Sequence, residues 1–104
     1  MRKALMVGID DYTNCRLFGC CNDAEAVSDE LMKNGDGSPN FAVRKVLDVQ
    51  TKGELRQLVE ECFSGSADVA LFYYSGHGHV DTIGGYLVTP DYAVGDYGLS
   101  LQDV

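Results

Sequence analysis

Val69-Ala70-Leu71-Phe72-Tyr73-Tyr74-Ser75-Gly76-His77-Gly78 carries an apolar run straight into a histidine flanked by glycines. The run is apolar at both alternating positions, which is the mark of a strand buried on both faces of a parallel sheet. Parallel α/β sheets place their chemistry at the carboxyl ends of the strands. Glycine on either side of His77 lets the chain turn sharply and lets a ligand come close to the backbone. Imidazole titrates near neutrality, so a histidine in this place is a candidate general acid or base. A solvated loop histidine at the end of an ordinary strand fits the same ten residues.

The flanking sequence supplies the rest of the sheet. Ala4 to Ile9 is a short, nearly continuous apolar run that fits a central parallel strand. Asn22 with Glu25 gives a capping pattern that opens a helix; Ala24, Val27 and Leu31 form its apolar stripe, and Asn34-Gly35 ends it. Phe41 to Leu47 reads as a second strand, with Arg44-Lys45 marking an edge. Thr51 and Glu54 form a second capping box, Leu55, Leu58, Val59 and Cys62 follow at helical spacing, and Gly65 closes that helix. The order strand-helix-strand-helix-strand predicts a right-handed α/β unit around a parallel sheet. Gly84 to Asp91 reads as a short antiparallel excursion, and Leu99 to Val104 as the opening of a third helix. A helix that opens on the last residues suggests a truncated or processed polypeptide with an unpaired sheet edge.

The 104 residues are expected to form a single domain. A formal net charge of -8 argues against nucleic-acid binding, which needs a basic stripe, and against anionic membrane surfaces. It suits a cationic substrate or partner. The amino-terminal segment does not read as a secretory leader, and no apolar run is long enough to span a bilayer. Cys15, Cys20, Cys21 and Cys62 do not form a disulfide framework, since two are adjacent and one lies on a helix's apolar face. Reduced thiols in a cytoplasmic protein are expected.

Two further constellations carry possible chemistry. His77-Gly78-His79-Val80-Asp81 matches the opening of the His-x-His-x-Asp metal motif of the metallo-β-lactamase fold. Thr82 stands where that motif has another histidine, and the chain holds only two histidines, so no metal site is expected. Gly19-Cys20-Cys21-Asn22-Asp23 opens the first helix. If the first and third strands are neighbours, its loop and the His77 loop flank one cleft, and Asp23 adds a carboxylate to it. Asn22 and Asp23 acting only as helix caps is the competing reading.

Lys3-Ala4-Leu5-Met6-Val7-Gly8-Ile9-Asp10-Asp11-Tyr12, Leu17-Phe18-Gly19-Cys20-Cys21-Asn22-Asp23-Ala24 and Phe72-Tyr73-Tyr74-Ser75-Gly76-His77-Gly78 together resemble the caspase-like cysteine peptidases, in order and over essentially the whole chain. The resemblance is nearest to metacaspases and their bacterial relatives. It implies an α/β sandwich with a mostly parallel central sheet flanked by helices, incomplete at its carboxyl end. It also implies roles for four residues. His77 matches the catalytic histidine. The Gly78 N–H matches an oxyanion-hole donor. Asp23 matches an acidic residue of the pocket that selects Arg or Lys at the cleaved position, and Ser75 lies beside that pocket. Caspases that read aspartate carry an arginine where this chain has Leu17, one residue from Arg16.

The departures set further expectations. In the family the nucleophilic cysteine follows the next parallel strand, in a segment like Asp-x-Cys-x-Ser-Gly, which this sequence does not contain. The nucleophile is therefore expected from a downstream segment or small subunit, and this chain alone is expected to be inactive. Cys20 and Cys21 stand as alternative nucleophiles. Calcium-dependent metacaspases use an acidic cluster after the histidine loop. Here Gly84-Gly85, Leu101 and Gln102 occupy several of those places, so no cofactor is expected, although Asp81, Asp91, Asp96 and Asp103 remain. A catalytically inactive caspase-like interaction module is the alternative function.

Overall fold

Strand β1 (Arg2–Gly8) lies at the centre of a three-stranded parallel sheet, between β2 (Ala42–Leu47) and β3 (Val69–Ser75). The computed structural model describes every residue except Thr82, Ile83, Val94 and Val104. Helices α1 (Cys20–Met32) and α2 (Lys52–Phe63) make the two crossovers and pack on opposite faces of the sheet. β1 is buried from Ala4 to Gly8, because both of its edges are paired and both of its faces covered.

The side chains divide by parity along β1. Leu5 and Val7, with Ile9 beyond the strand, enter the main core with Leu55, Leu58, Val59 and Cys62 of α2. On the other face Gly8 meets α1: a Cβ there would lie 2.6 Å from the Cys20 carbonyl oxygen and 3.0 Å from the Ala24 Cβ. That close approach is why this strand ends in glycine.

Beyond His77 the chain forms an antiparallel sheet of β4 (Gly78–Val80), β5 (Gly85–Ala93) and β6 (Asp96–Ser100), in that order. Val88 of β5 and Leu99 of β6 close the core over α2. The Thr51 hydroxyl accepts the Glu54 N–H at 3.2 Å, so the second expected cap is present. The Asp91 carboxylate adds to it, accepting the Lys52 N–H at 3.1 Å, while Lys52 Nζ pairs with Asp96 at 3.0 Å. A carboxylate at this helix N-terminus also meets the positive end of the helix dipole. The antiparallel excursion is thereby tied to the parallel layer.

Four expectations need correction. α1 starts at Cys20, ahead of the expected Asn22 cap, and Gly19 at its N-cap position makes no side-chain cap. The exposed Asn22 lies inside the helix. The buried face of α1 is Ala24 and Ser28, with Val27 and Leu31 only half-buried. Ser28 is accommodated because its hydroxyl bonds the Ala24 carbonyl at 2.6 Å. β3 is half-buried rather than enclosed, because it forms an edge of its sheet. The expected third helix is instead the end of β6 followed by a 3-10 turn, η1 (Leu101–Asp103); Val104 lies outside the described residues. Leu99 and Ser100 pair with Leu87 and Tyr86, and this ladder outcompetes local helix formation.

Candidate active site

β1 and β3 are parallel neighbours in a register that pairs Gly8 with Ser75, so the loops that follow them leave one edge of the sheet together. Ile9 N–H donates to the Ser75 carbonyl at 2.9 Å and ties the two loops at their roots. Tyr12 comes from the first loop and His77 from the second. Their rings meet edge to face, with centroids 4.5 Å apart.

His77 is fixed at three atoms. Its N–H donates to Tyr12 Oη at 3.0 Å. Its carbonyl accepts from Tyr74 Oη at 2.7 Å and from the Val88 N–H at 2.9 Å. Its ring Nε2 lies 2.7 Å from the Cys15 carbonyl oxygen. A carbonyl can only accept, so Nε2 carries a proton, and Nδ1 is the nitrogen that holds the lone pair in the neutral form of the ring. That tautomer suits a base working through Nδ1.

The Gly78 N–H follows from the same peptide. In a trans peptide the carbonyl and the next N–H point in opposite directions. The His77 carbonyl points at β5, so the Gly78 N–H is directed away from β5. The ladder gives the same direction: Val88 N–H bonds the His77 carbonyl, hydrogen-bonded and non-bonded pairs alternate, and Gly78 faces Leu87 as the non-bonded pair. His77 and Gly78 line a shallow cleft of about 210 Å³ with Cys15, His79, Val88, Tyr92 and Tyr97. A larger apolar hollow of about 260 Å³ lies at the other end of the strands, around Lys3, Leu5, Val43 and Cys62, with no imidazole in its lining.

The acidic side chains of the first loop have a structural task. Asp10 accepts the N–H groups of Cys20 and Cys21 at 2.8 and 3.2 Å. Asp48 in turn accepts those of Asp10 and Asp11 at 3.0 and 3.2 Å. Burial, with the Asp10 and Asp48 carboxylates beside it, pushes the Cys21 thiol up to about 12. Burial also raises the Cys20 thiol, and the Asp10 and Asp23 charges add to that, against a hydrogen bond from Ser75. Asp23 is exposed in the first turn of α1, three residues after Cys20. Both thiols are held protonated, the unreactive form. Arg16 pairs with Asp11 at 3.2 Å.

Among the described residues, no three His, Cys, Asp or Glu side chains gather into a metal-binding group. His79 stacks on Tyr97 at 3.9 Å, Asp81 accepts the Gly84 N–H, and Asp91 and Asp96 are engaged at the start of α2. Sequence reasoning missed Tyr12, Tyr74 and Cys15. The tyrosines entered only as members of the quoted motifs, and Cys15 had no local pattern, yet its exposed thiol lies 3.8 Å from Tyr92 Oη in the His77 cleft.

A family model of the caspase domain matches residues 1–97. Metacaspase-9 of Arabidopsis thaliana is 35% identical over 89 residues, covering 74% of this chain and 27% of the plant protein. The chain thus spans about a quarter of the length of that relative. The match runs through both loops of the cleft, from β1 and the loop that carries Asp10 to the histidine turn and the hairpin beyond it, and the chain belongs to the caspase-domain family of cysteine peptidases.

Proposed function

We propose that this domain supplies the acid-base and oxyanion half of a cysteine endopeptidase of the caspase or metacaspase type, cleaving after Arg or Lys. The observation that carries the reading is the His77 turn: an imidazole whose Nε2 is held on the Cys15 carbonyl, leaving Nδ1 as the nitrogen to exchange a proton, next to a backbone N–H turned away from its sheet. In the proposed reaction a thiol from a segment outside these 104 residues gives its proton to His77. The thiolate attacks the peptide carbonyl, and the Gly78 N–H donates a hydrogen bond to the developing oxyanion. The C–N bond breaks as His77 returns the proton to the leaving amine, and water then hydrolyses the thioester with His77 again as base.

Asp23 supports the preference for a basic residue. It is exposed in the first turn of α1, three residues after Cys20, where a guanidinium or ammonium would find a carboxylate. Protonated Cys20 and Cys21 thiols support an external nucleophile over either of them. The chemistry rests on side chains and backbone alone, without a cofactor. No described helix is long and apolar enough to cross a membrane, and the four free thiols suit a cytoplasmic setting.

The test is hydrolysis of matched peptides with Arg, Lys or Asp at the cleavage position by the intact protein that contains this domain. We expect cleavage of the basic peptides, lost in His77→Ala, and no cleavage by the 104-residue polypeptide alone. Aspartate preference, or activity indifferent to His77, would contradict the reading.

A further inference from the structure

Two tyrosine hydroxyls from different elements meet on the backbone of His77. Tyr12 is in the loop after β1 and is buried; Tyr74 is in β3 and half-buried. Their oxygens are 3.0 Å apart, and both reach the Val88 carbonyl, at 2.9 Å from Tyr12 and 2.8 Å from Tyr74. Gly76 makes the room. A Cβ at that position would lie 2.5 Å from each hydroxyl oxygen.

We propose that Tyr12 and Tyr74 are positioning residues that together aim both groups of the proposed site, the His77 imidazole and the Gly78 N–H; this inference rests on the peptidase reading above. Each hydroxyl has one proton to give. If Tyr12 donates to Val88, Tyr74 can donate to the His77 carbonyl at 2.7 Å, its shortest contact, or to Val88 or Tyr12. If Tyr12 donates to Tyr74, Tyr74 donates to His77 or to Val88. In every arrangement Tyr12 Oη accepts the His77 N–H, which fixes the peptide leading into the histidine. Tyr74 and the Val88 N–H hold the carbonyl that follows, and peptide planarity converts that hold into the direction of the Gly78 N–H. Burial raises both hydroxyls above their ordinary value, so the clamp stays protonated at physiological pH.

The two tyrosines are not equivalent. Without the Tyr74 hydroxyl, the His77 carbonyl keeps the Val88 N–H. Without the Tyr12 hydroxyl, the His77 N–H loses the acceptor that the structure gives it. The inference therefore orders the variants: Tyr12→Phe is more damaging than Tyr74→Phe, although both keep their rings.

The experiment uses the intact protein with a peptidyl-arginine substrate, comparing Tyr12→Phe and Tyr74→Phe with a core control, Val59→Ala on α2. Amide exchange at His77 is measured on the same samples. We expect kcat to fall about tenfold to a hundredfold in Tyr12→Phe and less in Tyr74→Phe, with KM within about twofold of wild type. The His77 amide should exchange about tenfold faster in Tyr12→Phe, while Met6 and Val7 keep their protection. An unchanged kcat in Tyr12→Phe, or a fall matched by Val59→Ala at equal loss of stability, would overturn the clamp. If the wild type showed no His77-dependent hydrolysis, the peptidase reading would fall, and with it the purpose of the clamp, even where the exchange pattern held.

Discussion

Asp10 caps a helix whose first residue is ten positions further along the chain: its carboxylate accepts the N–H groups of Cys20 and Cys21 at 2.8 and 3.2 Å. It thereby fixes where α1 begins and how close α1 comes to Gly8. Removing it should be felt in stability. Asp10→Ala is expected to cost about 1–2 kcal/mol at neutral pH, measured by urea unfolding of the intact protein.

The same carboxylate gives a pH signature. Burial alone would raise its pKa, but the Cys20 and Cys21 donors more than offset that and hold it below the ordinary value of 3.8. A carboxyl with a depressed folded pKa stabilises the fold above its unfolded pKa, and loses that contribution as the pH falls through the folded value. The stability gap between wild type and Asp10→Asn should be constant from pH 7 to 5 and narrow below about pH 4. A gap that persists unchanged to pH 2 would contradict this account of the cap.

Position 76 separates the fold from the site. Gly76→Ala would press a methyl group against both tyrosine hydroxyls, whereas Gly8→Ala would press one against the backbone of α1. Gly8→Ala is expected to destabilise by about 1–3 kcal/mol and to lower the melting temperature. Gly76→Ala should lower kcat for a peptidyl-arginine substrate by about a hundredfold, with a smaller stability loss, because the loop can yield where the helix cannot. Equal effects of the two variants on kcat at matched stability would contradict the division.

Thiol reactivity should follow the environments of the four cysteines. Cys15 is exposed, Cys62 is buried with its Sγ 3.5 Å from the Leu71 carbonyl, and Cys21 is pushed up to about 12. Brief alkylation of the 104 residues at pH 7.5, mapped by mass spectrometry, should find Cys15 modified ahead of Cys20, Cys21 and Cys62. Cys20→Ser and Cys21→Ser should keep His77-dependent hydrolysis. Loss of all turnover in either would return that cysteine to the role of nucleophile.

Much of the fold was legible in the sequence because each element of the β-α-β-α-β run carries its own local pattern. Thr51 with Glu54, and the spacing of Leu55, Leu58, Val59 and Cys62, locate α2 without outside help. What was not legible depends on partners distant in sequence. The start of α1 was misread because its cap comes from Asp10, not from Asn22. Leu99 and Ser100 were read as helix because their β5 partners, Leu87 and Tyr86, lie across a hairpin. The apolar run of β3 suggested burial on both faces, but its sheet pairs only one of its edges among the described residues. At the candidate site, the placement of His77 and Gly78 just beyond the end of β3 was legible from one motif. Tyr12 and Cys15 were not, since nothing local announces a hydroxyl or a carbonyl that reaches a histidine more than sixty residues away.

Specificity offers a separate check. Asp23→Asn keeps the shape of the side chain and removes its charge. It is expected to lower kcat/KM for Arg and Lys peptides by at least about tenfold, through KM more than kcat. An unchanged preference for basic residues would remove Asp23 from the substrate pocket.

The most direct measurement is covalent labelling of the intact protein with a peptidyl-arginine electrophile, mapped by mass spectrometry, with His77→Ala alongside. The account predicts a label on a cysteine outside residues 1–104, formed in the wild type and absent from His77→Ala. A label at Cys20 or Cys21, or no label on folded material, would contradict it; the second result would favour a caspase-like interaction module without catalysis.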